Sequence, residues 1–292
     1  MSLEKKREIE NWWNSHSQDY KDEYKSEYLG VELGNLNDED FCKYIDDLDA
    51  AFARKAYFAQ DDNKLFSKLI NKRLKNKKVL EIGCGLGSHT QVLAEKGSIL
   101  TSIDLAEKSV RTTQKRLKIK GLKANVIQAD CENLPFKDNS FDYIWSWGVI
   151  HHTPNTQKAA EEIIRVLKPN GKLDIMVYNN DSFYKFINVY LRYGILKLKF
   201  FKGYTKQRLK NVYTDGKELG GAPLSKYYSK KDLIKLFKEL KFIKCTSFEQ
   251  KNFLTFWIPK SYKYKFERMI PDKIYNFLFK DFGFLLFGSF IK

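Results

Sequence analysis

A glycine-rich turn, VLEIGCGLG at residues 79–87, is the first feature of this chain that could bind a ligand. Gly83, Gly85 and Gly87 allow a tight backbone turn and let the backbone approach a ligand without a Cβ atom in the way. The helix predicted from Ser88 would present free backbone N–H groups to that ligand. The pattern indicates a nucleotide-like ligand. Its third glycine falls one residue earlier than in the dinucleotide fingerprint, so a bare turn stays open as the alternative.

Two carboxylates follow at the ends of the next two predicted strands. Asp104 stands where α/β nucleotide sites place a carboxylate on ribose hydroxyls. Asp130 and Cys131 end the third predicted strand, where a carboxylate and a backbone N–H can read the edge of an adenine ring. Taken alone, Asp104 could be a solvated turn residue. Three consecutive strand ends with ligand chemistry favour the binding role.

These residues need a parallel sheet to bring them together. From residue 77 the sequence alternates short apolar segments with amphipathic helices, and this pattern predicts an α/β sheet covered on both faces. The predicted strands are 79–82, 98–103, 124–127, 141–145 and 172–177, followed by a helix at 229–240 and strands near 242–248 and 284–291.

Two regions depart from that alternation. Residues 1–76 predict a helical segment, because the acidic run 37–40 resembles a helix start and apolar residues follow it at helical spacing. Residues 179–226 are rich in aromatic and basic side chains and predict helices followed by a loop that returns to the sheet. Their tyrosines and phenylalanines could line an apolar pocket or form ordinary helix-packing core.

Composition limits the partners and the location. The net charge of the 292-residue chain is +16, but residues 1–60 have 8 basic and 14 acidic side chains, whereas residues 185–244 have 16 basic and 4 acidic ones. Only nine of the 52 basic residues are Arg, a bias that an AT-rich genome gives without any polyanionic partner.

Four cysteines without paired spacing, and an N-terminus without a targeting segment, predict a cytoplasmic protein. No span of a membrane is predicted, and peripheral membrane contact stays open.

The combined motifs resemble the class I S-adenosylmethionine-dependent methyltransferases, closely over residues 77–178 and more loosely to the C-terminus. The motifs are VLEIGCGLG (79–87), SIDLAEKSV (102–110), QAD (128–130), ENLPF (132–136), FDYIWSWGVIHHTPN (141–155) and RVLKPNGKL (165–173). The resemblance implies a Rossmann-like seven-stranded sheet of order 3-2-1-4-5-7-6 with the last strand antiparallel. It also implies a helical N-terminal lid (1–76) and a methyltransferase domain (77–292) with a cap inserted at about 179–226.

The same resemblance assigns residues to S-adenosylmethionine and its product S-adenosylhomocysteine, with no metal. The methionine would lie over the glycine turn, the ribose on Asp104 and the adenine beside Asp130. The block WWNSHSQDY (12–20) resembles a lid segment in which a tyrosine, here Tyr20, closes over the cofactor. The predicted cofactor set is Tyr20, Glu81, Gly83, Cys84, Gly85, Gly87, Asp104, Leu105, Asp130, Cys131 and, bordering the methyl, Ser146 and Trp147.

A methyl acceptor must often lose a proton, and histidine suits that role because its ordinary pKa is about 6.5. His151 and His152 follow the fourth predicted strand at the ligand-binding edge, and His151 is the preferred catalytic base. Neighbouring residues rarely point the same way, so at most one of the two should face the acceptor, and a metal site from the pair is not expected. Catalysis by proximity alone, or a base such as Tyr178, stays open. His89 is predicted to make contacts at the cap of the helix after the glycine turn.

Three functions remain open from the sequence. The first is methyl transfer to an O, N or C nucleophile of a small molecule, because SWGV (146–149) differs from the Asn/Asp-Pro-Pro-aromatic element of enzymes that methylate DNA bases. The second is methylation of RNA or another polyanion through the basic residues 185–244, with nucleic acid the less favoured partner. The third is cofactor binding without chemistry. The acceptor and the oligomeric state are not predicted.

Overall fold

The computed structural model describes residues 3–16, 33–55, 66, 69–70, 73–217, 220–249, 269 and 271–292. Its helices are α1 (Leu3–His16), α2 (Asp38–Lys55), α3 (Ser88–Glu95), α4 (Glu107–Ile119), α5 (Thr156–Val166), α6 (Tyr184–Leu196), α7 (Lys206–Thr214), α8 (Lys230–Leu236) and α9 (Asp272–Phe279). Its strands are β1 (Lys78–Ile82), β2 (Ile99–Asp104), β3 (Asn125–Gln128), β4 (Phe141–Trp147), β5 (Leu167–Tyr178), β6 (Lys241–Phe248) and β7 (Leu285–Ile291).

The seven strands form one sheet in the order β3-β2-β1-β4-β5-β7-β6. Strands β1 to β5 are parallel, and β7 runs antiparallel to both β5 and β6. The predicted order and the antiparallel last strand are therefore confirmed. The central strands are apolar and buried, as expected where helices cover both faces of a parallel sheet.

Register places the ends of four strands at one edge of the sheet. Ile82 at the end of β1 pairs with Ile103 of β2 and with Ser146 of β4, and Asp104 pairs with Gln128 at the end of β3. Parallel strands gather ligand-binding residues at their carboxyl ends because all the following loops leave from there. The predicted site residues on these strand ends therefore meet at one edge.

The N-terminal helices α1 and α2 both contact helix α4. The Asn37 side chain accepts a hydrogen bond from the backbone N–H of Asp40 at 2.8 Å, which confirms the predicted helix start at α2. Helix α1 contacts α4, where the Asn14 side chain accepts from the backbone N–H of Lys108 at 3.1 Å. The division into lid and methyltransferase domain stays a prediction.

The inserted segment forms two helices, α6 and α7, that pack on each other. Helix α6 has the wider turns of a π-helix. Their shared core is Val189, Leu209 and Tyr213, with the ring of Tyr193 stacked 3.8 Å from that of Tyr213. Aromatic residues of this segment thus serve largely as helix-packing core, which was one of the two interpretations of the sequence.

Cys42, Cys84, Cys131 and Cys245 are all free thiols. Over the part of the chain that the structure describes, no group of three or more His, Cys, Asp or Glu side chains could hold a metal ion. None of the helices described is both long enough and apolar enough to cross a bilayer.

Candidate functional site

The glycine turn is shaped by two glycines with different surroundings. Gly83 has a φ of +84°, and a Cβ atom there would lie 2.1 Å from Cγ2 of Val149. Gly85 has a φ of +54°, and nothing lies within 4 Å of the position its Cβ would take. Gly83 therefore lets the loop after β4 pack closely, whereas Gly85 keeps open space beside the turn.

Asp104 is held against this turn by the backbone. One carboxylate oxygen accepts from the N–H of Gly85 and the other from the N–H of Ala106, each at 2.9 Å. Burial raises the pKa of Asp104, although these backbone hydrogen bonds work in the opposite direction. Each oxygen has a further lone pair, so the carboxylate can also accept hydrogen bonds from two ligand hydroxyls.

A cavity of about 190 Å³ lies over the carboxyl edge of the sheet. Its lining includes eight of the predicted site residues: Gly83, Gly85, Asp104, Leu105, Asp130, Cys131, Trp147 and His152. Helix α1 closes one side with Lys6, Ile9 and Trp13. None of the described residues in 179–226 lines this cavity.

The remaining predicted residues lie elsewhere. Glu81, Cys84 and Ser146 are buried and do not line the cavity, nor do Gly87 and His151. Tyr20 lies outside the residues that the structure describes.

Glu81 lies below the glycine turn with one oxygen satisfied and one not. Its Oε2 accepts from the hydroxyls of Thr90 and Ser102, both at 2.6 Å. Its Oε1 and the hydroxyl of Ser146 have no hydrogen-bond partner among the described residues. Burial raises the pKa of Glu81 to about 7, against the effect of the two hydroxyls. A buried acceptor without a partner leaves a place for a donor from a ligand.

Helix α1 is attached to the predicted adenine edge by an ion pair. The Lys6 ammonium lies 2.5 Å from Asp130 and 2.8 Å from Glu132. Burial works against the ammonium, but hydrogen bonds to these two carboxylates raise the pKa of Lys6. Glu132 also accepts from the backbone N–H of Asn155 at 2.6 Å. Sequence reasoning missed Lys6, because nothing distinguishes it from the chain's other lysines.

The two adjacent histidines face different surroundings. His152 lines the cavity, and its Nδ1 lies 2.6 Å from the carbonyl oxygen of Leu224. His151 is fully buried with its ring 3.9 Å from that of Tyr178, and within the described residues neither ring nitrogen has a hydrogen-bond partner. Burial, then the neighbouring His152, lowers the pKa of His151 well below its usual value. The structure thus brings His152 to the cavity rather than the preferred His151.

The prediction for His89 is wrong. The ring of His89 lies in an aromatic cluster, 3.8 Å from the ring of Phe66, and its Nδ1 accepts from the indole N–H of Trp145 at 3.0 Å. Burial, and then the charge of Arg116, lowers its pKa to about 3. The buried indole N–H needs an acceptor, and the neutral imidazole supplies it, so the side chain points into the core instead of capping the helix.

Asp215, which sequence reasoning did not single out, joins the cap to the short helical turn Ile150–His152, called the histidine turn below. Its Oδ1 accepts from the hydroxyl of Tyr178 at 2.7 Å, and its Oδ2 lies 3.6 Å from Nε2 of His152. The backbone N–H of Lys226 donates to the carbonyl of His151 at 2.9 Å. The cap therefore contacts His152, which lines the cavity.

Part of this chain is similar in sequence to known proteins. Residues 80–175 match the family described as "Methyltransferase domain". A sterol 4-C-methyltransferase of Caenorhabditis elegans is 32% identical over 106 residues, which cover 35% of this chain and 32% of that protein. An uncharacterised protein of Methanocaldococcus jannaschii is 37% identical over 150 residues, covering 50% and 59%. The chain thus spans less than two thirds of the length of these curated relatives.

A solved structure shares the fold. The crystal structure of an S-adenosylmethionine-dependent methyltransferase from Methanosarcina mazei aligns with a TM-score of 0.51 at 19% identity, over 75% of this chain and 93% of that one. At this identity the likeness concerns the fold alone.

Proposed function

We propose that this protein transfers a methyl group from S-adenosylmethionine to an O, N or C nucleophile of a small molecule. The premise is that residues 80–175 match a methyltransferase domain and that the sheet has the class I strand order. The observation that carries the proposal is the carboxylate of Asp104. It is fixed by the N–H of Gly85, beside open space at the turn, and it lines a cavity.

The residues present fit this cofactor. Asp104 would bind the ribose hydroxyls, and Asp130 with the backbone of Cys131 would bind the adenine edge. When bound, S-adenosylmethionine supplies a methyl group already activated on a sulfonium.

We infer that the acceptor is an apolar small molecule. The cavity wall near His152 includes Trp13, Val149 and Pro154, which suit an apolar ligand with few polar groups. One relative is named for a sterol, a ligand of the same character. A cytoplasmic location, drawn from the cysteine pattern, belongs to this proposal as well.

His152 would act as the proton acceptor. Because the carbonyl oxygen of Leu224 can only accept, Nδ1 of His152 carries the proton in that hydrogen bond, and Nε2 keeps its lone pair. Nε2 could then take a proton from the molecule that receives the methyl group. The nearby carboxylate of Asp215 would stabilise the resulting imidazolium. Asp215 is thus a positioning residue, not one that touches the reacting atoms.

The first test is cofactor binding. Asp104→Asn keeps the shape of the side chain but removes the charge, and charged hydrogen bonds are worth roughly 1.5–3 kcal/mol, so the affinity for S-adenosylhomocysteine should fall about ten- to a hundredfold. Asp142→Asn is the matched control, because Asp142 also accepts from a backbone N–H, that of Lys78, but at the opposite edge of the sheet. Unchanged affinity in folded Asp104→Asn, measured by calorimetry, would remove Asp104 from the site.

The second test is turnover. The protein is incubated with S-adenosylmethionine carrying a labelled methyl group and with separate cell fractions of apolar small molecules, polar small molecules and RNA. Label in an apolar product is the expected result. Label in RNA alone would support the polyanion alternative, and cofactor binding without transfer to any fraction would support a role without chemistry.

A further inference from the structure

The cap has an exposed apolar surface that the proposed function does not use. Fourteen large apolar side chains of the described residues are exposed, and seven of them fall within residues 183–201. Leu196 and Leu198 are 55% and 53% exposed, and Phe201 is 81% exposed. Clusters of exposed apolar residues on a folded protein mark interaction sites.

This exposure is not a consequence of poor packing in the cap. Helices α6 and α7 already bury a core of their own at Val189 and Leu209. In the turn between them, Phe200 points inward, since a Cβ atom on Gly194 would lie 2.2 Å from its ring. Phe201 points outward from the same turn, which is closed by a hydrogen bond from the N–H of Lys202 to the carbonyl of Leu198 at 3.1 Å. The fold therefore holds apolar side chains out toward solvent on an ordered turn.

The charged residues next to these side chains in the sequence are all basic. Residues 182–214 contain eight Lys and Arg and no Asp or Glu. Three of the lysines, Lys197, Lys202 and Lys206, are exposed and alternate along the chain with the exposed apolar residues. We call Leu196, Leu198, Phe201 and these three lysines the cap-tip surface.

Exposed apolar side chains interspersed with lysines suit an anionic bilayer better than a protein interface or a single-stranded nucleic acid. At an anionic bilayer, apolar side chains enter the headgroup region while ammonium groups bind lipid phosphates. The core of a protein interface is depleted in lysine. A single-stranded nucleic acid binds basic grooves with aromatic platforms, and the exposed leucines offer no stacking surface.

We propose that the cap-tip surface docks this protein on the surface of bilayers that contain anionic lipids. Leu196, Leu198 and Phe201 enter the headgroup region, and the three lysines bind lipid phosphates. The proposal goes beyond methyl transfer and does not depend on it, because docking needs neither the cofactor nor the cavity.

The test is flotation of the full chain with vesicles. Wild type should float with vesicles of phosphatidylcholine containing about 30% phosphatidylserine, more weakly with phosphatidylcholine alone, and more weakly as the salt concentration rises. The variant L196S/L198S/F201S should partition at least about tenfold less. The control I99S/I243S removes side chains that are 58% and 44% exposed in strands β2 and β6, and it should float like wild type.

A second variant separates charge from apolar insertion and covers the case in which the triple serine variant fails to fold. K197Q/K202Q/K206Q should lose the preference for anionic vesicles and keep the weak binding to phosphatidylcholine. The proposal is overturned if wild type does not float with anionic vesicles, if I99S/I243S loses as much binding as the cap-tip variants, or if the chain binds single-stranded RNA but no vesicle.

Discussion

The glycine turn and the cap lie near the same cavity but are held in different ways. The turn leaves β1 between two parallel neighbours, and backbone N–H groups of Gly83 and Cys84 donate to the carbonyl of Ile103 at 2.8 and 3.0 Å. The cap reaches the cavity wall through side chains such as Asp215 and through the loop that contacts His152. Hydrogen bonds between backbone groups form with most side chains, whereas a contact made by one side chain is lost when that residue is replaced. Substitutions at the turn should therefore act through backbone geometry, and those near the cap through the identity of individual residues.

The largest effect is expected at the histidine pair, where cap and cavity meet. His152→Ala should lower turnover by about two to four decades, as for loss of a general base, with little change in cofactor affinity. His151→Ala should keep turnover near wild type, because His151 does not line the cavity. The pH–rate profiles of both variants, with an identified acceptor, measure this difference. Near-wild-type rates in both variants would mean that neither histidine is the base. Catalysis would then rest on proximity without a base, or on Tyr178 as the base.

The next largest effect is expected on the stability of the glycine turn, which is held by backbone geometry. Gly83→Ala places a Cβ atom 2.1 Å from Val149 in a left-handed conformation, so strain and overpacking should together cost roughly 2–5 kcal/mol of unfolding free energy. Gly85→Ala meets no neighbouring atom and should cost about 1–2 kcal/mol, from its positive φ alone. Urea unfolding of the two variants gives the values. Equal losses would show that the close contact at Gly83 relaxes freely.

A smaller effect is expected where the cap is attached. Tyr178→Phe removes the hydroxyl that donates to Asp215 at 2.7 Å and should cost about 1–3 kcal/mol, as for a hydrogen bond to a charged group. If Asp215 positions His152, the variant should also shift the pH–rate profile while leaving the affinity for S-adenosylhomocysteine unchanged. Tyr143→Phe, which loses a buried hydroxyl bond to Asp174 away from the cavity, is the control for stability loss alone. An unshifted profile would remove Asp215 from the positioning role.

A further effect concerns the pH dependence of stability. Burial keeps the pKa of His151 well below 6.5, so under pH 6.5 the unfolded chain binds a proton that the folded chain does not. This contribution to stability is present above pH 6.5 and is lost as the pH falls, by about 1.4 kcal/mol per pH unit. His151→Phe should remove that slope between pH 6.5 and 5, measured as the difference from wild type in urea unfolding. Parallel curves for the two proteins would contradict it.

Much of the cavity lining could be predicted because its signals are local. A glycine turn directly after a strand, and carboxylates at the ends of the next strands, stand close to the elements that position them. Register in a parallel sheet then brings Asp104 and Gly85 together without any long-range contact that the sequence would have to reveal. Gly83, Gly85, Asp104 and Asp130, which line the cavity, are of this kind.

The misplaced and missed residues depend on side-chain packing between distant segments. The orientation of His89 is decided by Trp145, which lies 56 residues away, and the position of Lys6 by Asp130, 124 residues away. Likewise, only packing decides which of two adjacent histidines faces the cavity. Such contacts leave no periodic or spacing signal in a single sequence.

Local features of the sequence predict the sheet and the glycine turn, because apolar periodicity, turn glycines and strand-end carboxylates are properties of short segments. The packing of distant segments settles that His152 lines the cavity while His151 stays buried, and that Asp215 links Tyr178 to the histidine turn. It also decided that Leu196, Leu198 and Phe201 remain exposed among lysines. The physical reason is that burial depends on which surfaces meet, and those surfaces come from parts of the chain that the local pattern does not connect.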